Sequence, residues 1–414
     1  MVEMETIYKK IDSFRNEIIE MERQLTARPA LGPINGGTGE HDKANFAKEQ
    51  LLLLKPDNIL EIHAPDKNAA NGYRPNIVAT WNGAGEGKSI WILSHLDIVP
   101  PGDLSLWKTD PYKMIVQGDK IIGRGVEDNQ HGMVSSYFAV KSLIDLNLQS
   151  SGKINLAFVA DEETGSRFGL EYLVIEKKDM FSEDDLIIVP DGGNDEGTMI
   201  EIAEKSMLWL KFTVKGVQCH ASTPEKGKNS LFAMARLILE MGKLKEKFDM
   251  KDPIFSPEAS TFEPTKVEAN VPNVNTIPGR DVFYLDCRIL PEYKVDQVIQ
   301  EATNISKKLA TDLDLQIDIE AVHRQDAAPA TSADSPVVNI LARAIKRVTG
   351  LSAKPMGIGG GTVAAFFRDA GFPAAVWSTI SPTAHQPNEY CSINNIITDA
   401  KIMATVFLDQ ENRE

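Results

Sequence analysis

The amino-acid sequence predicts an α/β protein: a mixed, mostly parallel sheet covered by helices, with a smaller α+β domain inserted into it. Three observations predict this. Near-continuous apolar runs (NIVATW, SIWILSHLD, INLAFVADEE, DLIIVPDGG) alternate with helical stretches such as GMVSSYFAVKSLIDL, the pattern of strands buried on both faces. From Ser206 the strands instead alternate polar and apolar residues, in the order strand, helix, strand, strand, helix, strand, which folds as one small two-layer unit. After His323 the first kind of alternation returns. A chain of 414 residues also exceeds what one core usually organises. Residues 1–203 and 323–414 are therefore expected to build one domain, and residues 204–322 an inserted one.

The elements follow in order. Ile7, Ile11, Phe14, Ile18, Met21 and Leu25 recur at helical spacing over residues 3–26, and Thr26 to Gly39 then breaks the pattern with two prolines and four glycines. A helix over 41–54 leads into the apolar runs. In the inserted region MLWLKFTV, TFEPTKVEA, DVFYLDCRIL and LQIDIEAV read as strands. Residues 231–244 and the stripe Val295, Val298, Ile299, Ala302, Ile305, Leu309 read as its helices. VVNILARAIKRV, PAAVWST and a terminal helix over 394–408 are expected to rejoin the first sheet.

Charge excludes one class of partner. Acidic side chains number 59 against 44 basic, a formal net charge of −15 that repels a phosphate backbone, so no nucleic acid is expected. The N-terminal MVEMETIYKKIDSFRNEII has neither a short apolar signal core nor a run of about 18 apolar residues, so no membrane is expected either. Cys219, Cys287 and Cys391 are too few and scattered for a disulfide framework or a thiolate metal site. A reducing compartment fits, and the expected location is the cytoplasm.

Open parallel sheets present chemistry at the carboxyl ends of their strands. SIWILS is followed by His95 and Asp97, INLAFVA by Asp161, Glu162 and Glu163, DLIIVP by Asp191, and PAAVWSTISPTA by His385, while the loop IIGRGVEDNQHG adds Asp128. Histidines and carboxylates without thiolates match hydrolytic zinc and similar ions. Counting favours two of them. If Asp128 bridges, one ion takes His95, Asp128 and Asp191, the other Asp128, Glu163 and His385, and a hydroxide can lie between cations about 3.5–4 Å apart. Glu162, left over beside Glu163, is the natural general base. Asp97, two residues beyond His95, points the same way in an extended segment and is expected to hold the other imidazole nitrogen.

SHLDIVPPGD, GRGVEDNQHG, ADEETGS, VPDGG, GVQCHASTPEKGKNS, NTIPGRDVFYLDCR, GIGGGTVAAFFR and TAHQPNEY together resemble the two-zinc peptidases and deacylases that include acetylornithine deacetylase, succinyl-diaminopimelate desuccinylase and glutamate carboxypeptidase. The resemblance covers nearly the whole chain. It implies a zinc-exopeptidase-like catalytic domain interrupted by a ferredoxin-like lid, a lid that pairs subunits in dimeric members, and two divalent ions, zinc first, with cobalt or manganese able to share the ligands. It assigns metal ligation to His95, Asp128, Glu163, Asp191 and His385, the base to Glu162 and an orienting role to Asp97. His220 resembles the histidine that donates to the tetrahedral oxyanion, often across a dimer, and Asn275 a helper donor. Arg288 resembles the arginine that grips a substrate carboxylate.

GIGGGTVAAFF is a poor nucleotide loop: the third glycine of G-x-G-x-x-G would fall at Thr362, and Pro355 stands where a strand should feed the turn. The resemblance makes Gly360, Gly361 and Thr362 a cradle for the substrate backbone instead. Two places depart from the family. Leu96 stands where threonine is usual, and Asn129, Gln130, His131 where lysine is common. The peptide after the bridging aspartate is often cis in relatives, which is expected for Asp128 to Asn129. His131, His41, His63 and His323 read as structural. The expected function is a metal-dependent hydrolase cleaving the amide bond of an N-acyl amino acid or small peptide with a free carboxylate. The alternatives are an aminopeptidase or dipeptidase, which needs recognition of a free amine, and a noncatalytic binder, against which every ligand and the base are present.

Overall fold

The computed structural model describes residues 4–408, which form two compact units. The first opens with α1 (Met4–Asp12), α2 (Arg15–Thr26) and α3 (His41–Leu53). Ile7, Ile11, Phe14, Ile18, Met21 and Leu25 are all buried, so the stripe read from the sequence is the face that packs. Then follow β1 (Asn58–Pro65), β2 (Tyr73–Trp81), β3 (Ile90–His95), α4 (His131–Asp145), β4 (Ile154–Val159), α5 (Leu170–Glu176), β5 (Leu186–Asn194) and β6 (Met199–Glu204). The second unit, from Ala203–Ala330 and Met356–Ala365, carries β7 (Ser206–Lys215), α6 (Ser230–Met241), β8 (Thr261–Val267), β9 (Arg280–Ile289), α7 (Val295–Asp312) and β10 (Gln316–Gln325). The chain returns through α8 (Pro336–Thr349), β11 (Lys354–Ile358), β12 (Ala374–Thr379) and α9 (Ile393–Leu408).

The main sheet has the order β1-β2-β4-β3-β5-β12-β6-β11. Its centre, β4, β3, β5 and β12, is parallel, while β1, β2 and β6 add antiparallel pairings. Every residue of β3, β4 and β12 is buried, as strands covered on both faces require. Because the central strands run the same way, their carboxyl ends reach one edge together, and the loops that leave them can meet there.

The second unit is a four-stranded antiparallel sheet, β8-β9-β7-β10, with α6 and α7 packed on it, a ferredoxin-like arrangement. Leu208, Leu210, Phe212 and Val214 of β7 point into its core, and Phe212 stacks on Phe283 with ring centroids 4.6 Å apart.

Two features differ from the sequence reading. The second unit begins at Ala203 and runs past 322 to Ala330, because β10 stays paired with β7 as far as Gln325 opposite Met207 and Ala327 N–H donates to the Ser206 hydroxyl at 2.8 Å. It also takes in 356–365, the glycine-rich stretch expected in the other domain. Pro355, which argued against a strand ahead of that stretch, lies inside β11. β11 ends the sheet order, and an edge strand tolerates a residue without an N–H. Among the described residues, no helix is long and apolar enough to cross a membrane.

One buried ion cluster ties distant segments of the first unit together. Arg74 Nε donates to both oxygens of Glu40 at 2.6 and 2.9 Å, and Nη1 lies 3.2 Å from Asp161 and 3.7 Å from Asp66. Removing the cation would strand three carboxylates away from water. Arg74→Met should therefore lower the unfolding free energy by about 3–5 kcal/mol, read as a fall in the urea midpoint. Arg23→Met, which removes only an exposed pair with Glu20, should leave the midpoint nearly unchanged.

Candidate metal centre

β3 ends on His95, and its parallel register with β4, His95 opposite Val159, brings the segment beyond it alongside Asp161, Glu162 and Glu163. Asp161 adopts a left-handed backbone with φ 65°, which aspartate tolerates better than most residues. Its carboxylate is fixed by Arg74, the Phe168 N–H and the Thr164 hydroxyl, so the turn that presents Glu162 and Glu163 is held from behind. Asp128 lies in the irregular segment leading into α4, and the Asp128–Asn129 peptide is cis, as the resemblance implied. Asp191 is in β5, and His385 follows β12 with φ 63°.

These side chains converge. Asp128 sets Oδ1 2.8 Å from His95 Nε2 and Oδ2 2.9 Å from His385 Nε2. Asp191 Oδ1 lies 3.6 Å from His95 Nε2, and Glu163 Oε2 lies 3.1 Å from His385 Nε2. Each imidazole thus meets one carboxylate of its own and one oxygen of Asp128. Potential ligand atoms of His95, Asp128 and Glu163 all lie within 4.8 Å of one another, as do those of His95, Glu162 and Asp191. Glu163 Oε1 is buried without a hydrogen-bond partner, a position a cation would fill. The nitrogen and oxygen donor set suits zinc-type divalent ions.

Asp97 meets the second nitrogen of His95 through both its backbone and its side chain. His95 Nδ1 is 3.0 Å from the Asp97 backbone carbonyl and 3.5 Å from its carboxylate. The carboxylate also accepts the N–H of Glu162 on one oxygen and that of Glu163 on the other, both at 3.0 Å. The parallel register explains this, since it puts Asp97 opposite the turn after β4 with exposed N–H groups within reach.

Electrostatics follow from burial and crowding. Burial raises the carboxyl pKa of Glu162, Glu163 and Asp191, and the neighbouring Asp191 charge adds to the rise at Glu162. At Asp128 burial is outweighed by bonds from His385 and His95, and its pKa falls. His385, bonded to Asp128 and Glu163, is pushed up to about 10.

The model of Peptidase family M20/M25/M40 matches residues 91–409. The chain belongs to this family. An uncharacterized metallohydrolase of Methanococcus maripaludis is 41% identical over 96% of this chain and 99% of its own length. A succinyl-diaminopimelate desuccinylase of Sulfurovum is 26% identical over 75% of this chain and 81% of its own. The crystal structure of human carnosine dipeptidase 1 shares the fold, with a TM-score of 0.74 at 18% identity over 98% of both chains. This M20 protein is a metallohydrolase that acts on peptide or amide bonds, and it carries a candidate metal-binding cluster of histidines and carboxylates.

The other expected site residues lie in the second unit of the M20 chain. His220 pairs with Thr276, next to Asn275, across a two-stranded ribbon, and its Nδ1 is 2.7 Å from the Ser222 hydroxyl. Arg288 is not a free fork: Nε and Nη2 donate to Asp286 at 2.7 and 3.1 Å, and Nη1 to the Gly359 carbonyl at 2.9 Å. Thr362 donates to Glu204 at 2.6 Å, while a Cβ at Gly361 would meet the Gln325 amide at 2.5 Å and one at Gly360 would make an ordinary contact with Ile358 at 3.9 Å.

Sequence reasoning missed the buried residues behind the metal cluster. Glu389, Glu127, Arg124 and Asp399 were given no part, although NEY follows His385 closely and Asp399 interrupts an otherwise apolar helical stripe. His131 takes the structural place expected of it, buried, with Nε2 2.9 Å from Asp399 and Nδ1 3.9 Å from Glu127. Burial alone would lower its pKa, but Asp399 and Glu127 outweigh this and push it up to about 10. A folded pKa above the free value of about 6.5 means stabilisation that is complete below the free value and is lost as pH rises through the folded one. The gap in urea midpoint between wild type and His131→Asn should therefore be widest near about pH 6 and narrow towards about pH 10.

Proposed function

We propose that the chain hydrolyses the amide bond of an N-acyl amino acid or small peptide with a free carboxylate, using two divalent cations, zinc first and cobalt or manganese as alternates. One is held by His95, Asp128 and Asp191, the other by Asp128, Glu163 and His385. The observation that supports this is the division of Asp128 between two imidazoles, 2.8 Å from one and 2.9 Å from the other, each with a second carboxylate beside it. Two half-sites sharing one carboxylate are what a paired-cation centre needs. The desuccinylase relatives point to N-acyl amino acids as the substrate class.

Cations bound there supply Lewis acidity and make a water acidic enough to attack a carbonyl near neutral pH. Glu162 removes the proton from the attacking water and returns it to the leaving amine. Its raised pKa suits a carboxyl that must both take and give a proton, and Asp97 fixes its backbone. His220 enters the proposal as the catalytic donor to the tetrahedral oxyanion, and Asn275, Arg288, Gly360, Gly361 and Thr362 as substrate-binding groups. The proposed assembly is a homodimer paired through the second unit, checked by sedimentation.

The fork of Arg288, already engaged by Asp286, favours a second reading in which a free amine is recognised, as in an aminopeptidase or dipeptidase. Zinc-loaded and cobalt-loaded protein assayed against N-acetyl and N-succinyl amino acids and free dipeptides separates the two. Turnover of dipeptides alone would decide for the second. On either substrate, Glu162→Ala should cut kcat by about 10²–10⁴-fold while elemental analysis finds the metal content of wild type. Retained turnover would remove Glu162 from the mechanism.

A further inference from the structure

Asp128 and His385 sit on two loops distant in sequence, and three buried carboxylates join those loops in both directions. Glu389, on the His385 loop, accepts on one oxygen the N–H groups of Gly125, Glu127 and Asp128 at 3.1, 3.0 and 3.2 Å. Its other oxygen pairs with Arg124, and its backbone carbonyl accepts the Gly123 N–H at 3.0 Å. Glu127, the residue before Asp128, reciprocates by accepting the N–H of Ser381 from the His385 loop. Asp399 of α9 accepts the Thr379 N–H at 2.8 Å and its hydroxyl at 2.6 Å, where that loop leaves β12. The same carboxylate meets His131 where the Asp128 segment enters α4. Arg124, Glu127, His131, Glu389 and Asp399 are all buried.

A short antiparallel ladder, residues 120–122 against 390–392, joins the two loops at one end, but it stops short of both Asp128 and His385. A carboxylate that holds three buried N–H groups cannot slide without leaving donors unpaired. Such an exchange therefore sets the separation of the loops, and with it the separation of the Asp128 and His385 side chains. We propose that Glu389 and Glu127 are positioning residues of the metal centre: by trading carboxylate–amide bonds between the two loops they fix the Asp128 to His385 spacing, without themselves touching cation or substrate. The proposal rests on the two-cation reading above.

The test is a cobalt titration of metal-free protein, followed by calorimetry and visible absorption. Wild type should take up two equivalents. Glu389→Gln, which gives up the charge facing Arg124 and weakens three N–H bonds, should weaken one equivalent by about 10–100-fold and leave the other unchanged. At saturating cobalt its kcat should recover while KM stays at the wild-type value. Glu127→Ala, which removes the acceptor for Ser381, should move the same equivalent, and it carries the test if Glu389→Gln does not fold. A lower urea midpoint with both cobalt affinities at wild-type values would show a structural role only and overturn the proposal. Uptake of a single equivalent by wild type would instead sink the two-cation reading, and the ratio of variant to wild-type affinity for that equivalent would still decide the role of Glu389.

Discussion

The fold has to hold many carboxylates within a small buried region at one edge of the main sheet. Asp97, Asp161, Glu127, Glu389 and Asp399 surround the cluster, and each is answered by groups the chain provides. Asp97 takes two backbone N–H groups, Asp161 has Arg74, Glu127 has the Ser381 N–H, Glu389 has Arg124 and three N–H groups, and Asp399 has His131 and Thr379. Inside the cluster the compensation is thinner. Asp128, Glu163 and Asp191 face the imidazoles of His95 and His385, and burial still raises Glu163 and Asp191. Positive charge from bound cations is the natural completion of such a site, because burying unpaired carboxylates is strongly unfavourable.

The surrounding bonds also explain how loops make a site that is usually expected of rigid elements. Loop backbone is costly to bury because its N–H groups lack a ladder. In this chain the carboxylates fill that need, and the bonds that satisfy the buried amides also hold the side chains of the candidate metal cluster. Asp97 shows the economy most clearly: one short side chain caps the backbone of both Glu162 and Glu163, so proposed base and proposed ligand move as one piece.

What the sequence revealed and what it hid divide along physical lines. Strand ends are legible because burial on both faces makes an apolar run that stops abruptly, and His95, Asp161 to Glu163, Asp191 and His385 all stand just past such a stop or close to it. The alternation of β7 and the stripe of α7 are legible for the same reason, since each has one wet face and one dry one. Glu389, Glu127 and Arg124 left little periodic trace, because their partners are backbone N–H groups or one another and pairing of that kind imposes no spacing. The path of 356–365 was hidden too: a glycine-rich segment carries few side chains to declare which core it joins, and Pro355 read as a break when the edge position of β11 makes it harmless.

The placement of Asp97 bears on how His95 is prepared for its proposed role. A backbone carbonyl can only accept, so with that carbonyl 3.0 Å from Nδ1 the ring must carry a proton there. In the neutral imidazole this leaves the lone pair on Nε2, the atom that faces Asp128 and Asp191. A carboxylate at Nδ1 would fix the same tautomer and also make the ring more basic. At His95 the carbonyl sets the tautomer, and the Asp97 carboxylate 3.5 Å from the same nitrogen adds to the basicity of the ring. The carboxylate of Asp97 holds the Glu162–Glu163 turn as well, so one residue two positions from His95 sets both the direction of the lone pair on a proposed ligand and the place of the proposed base.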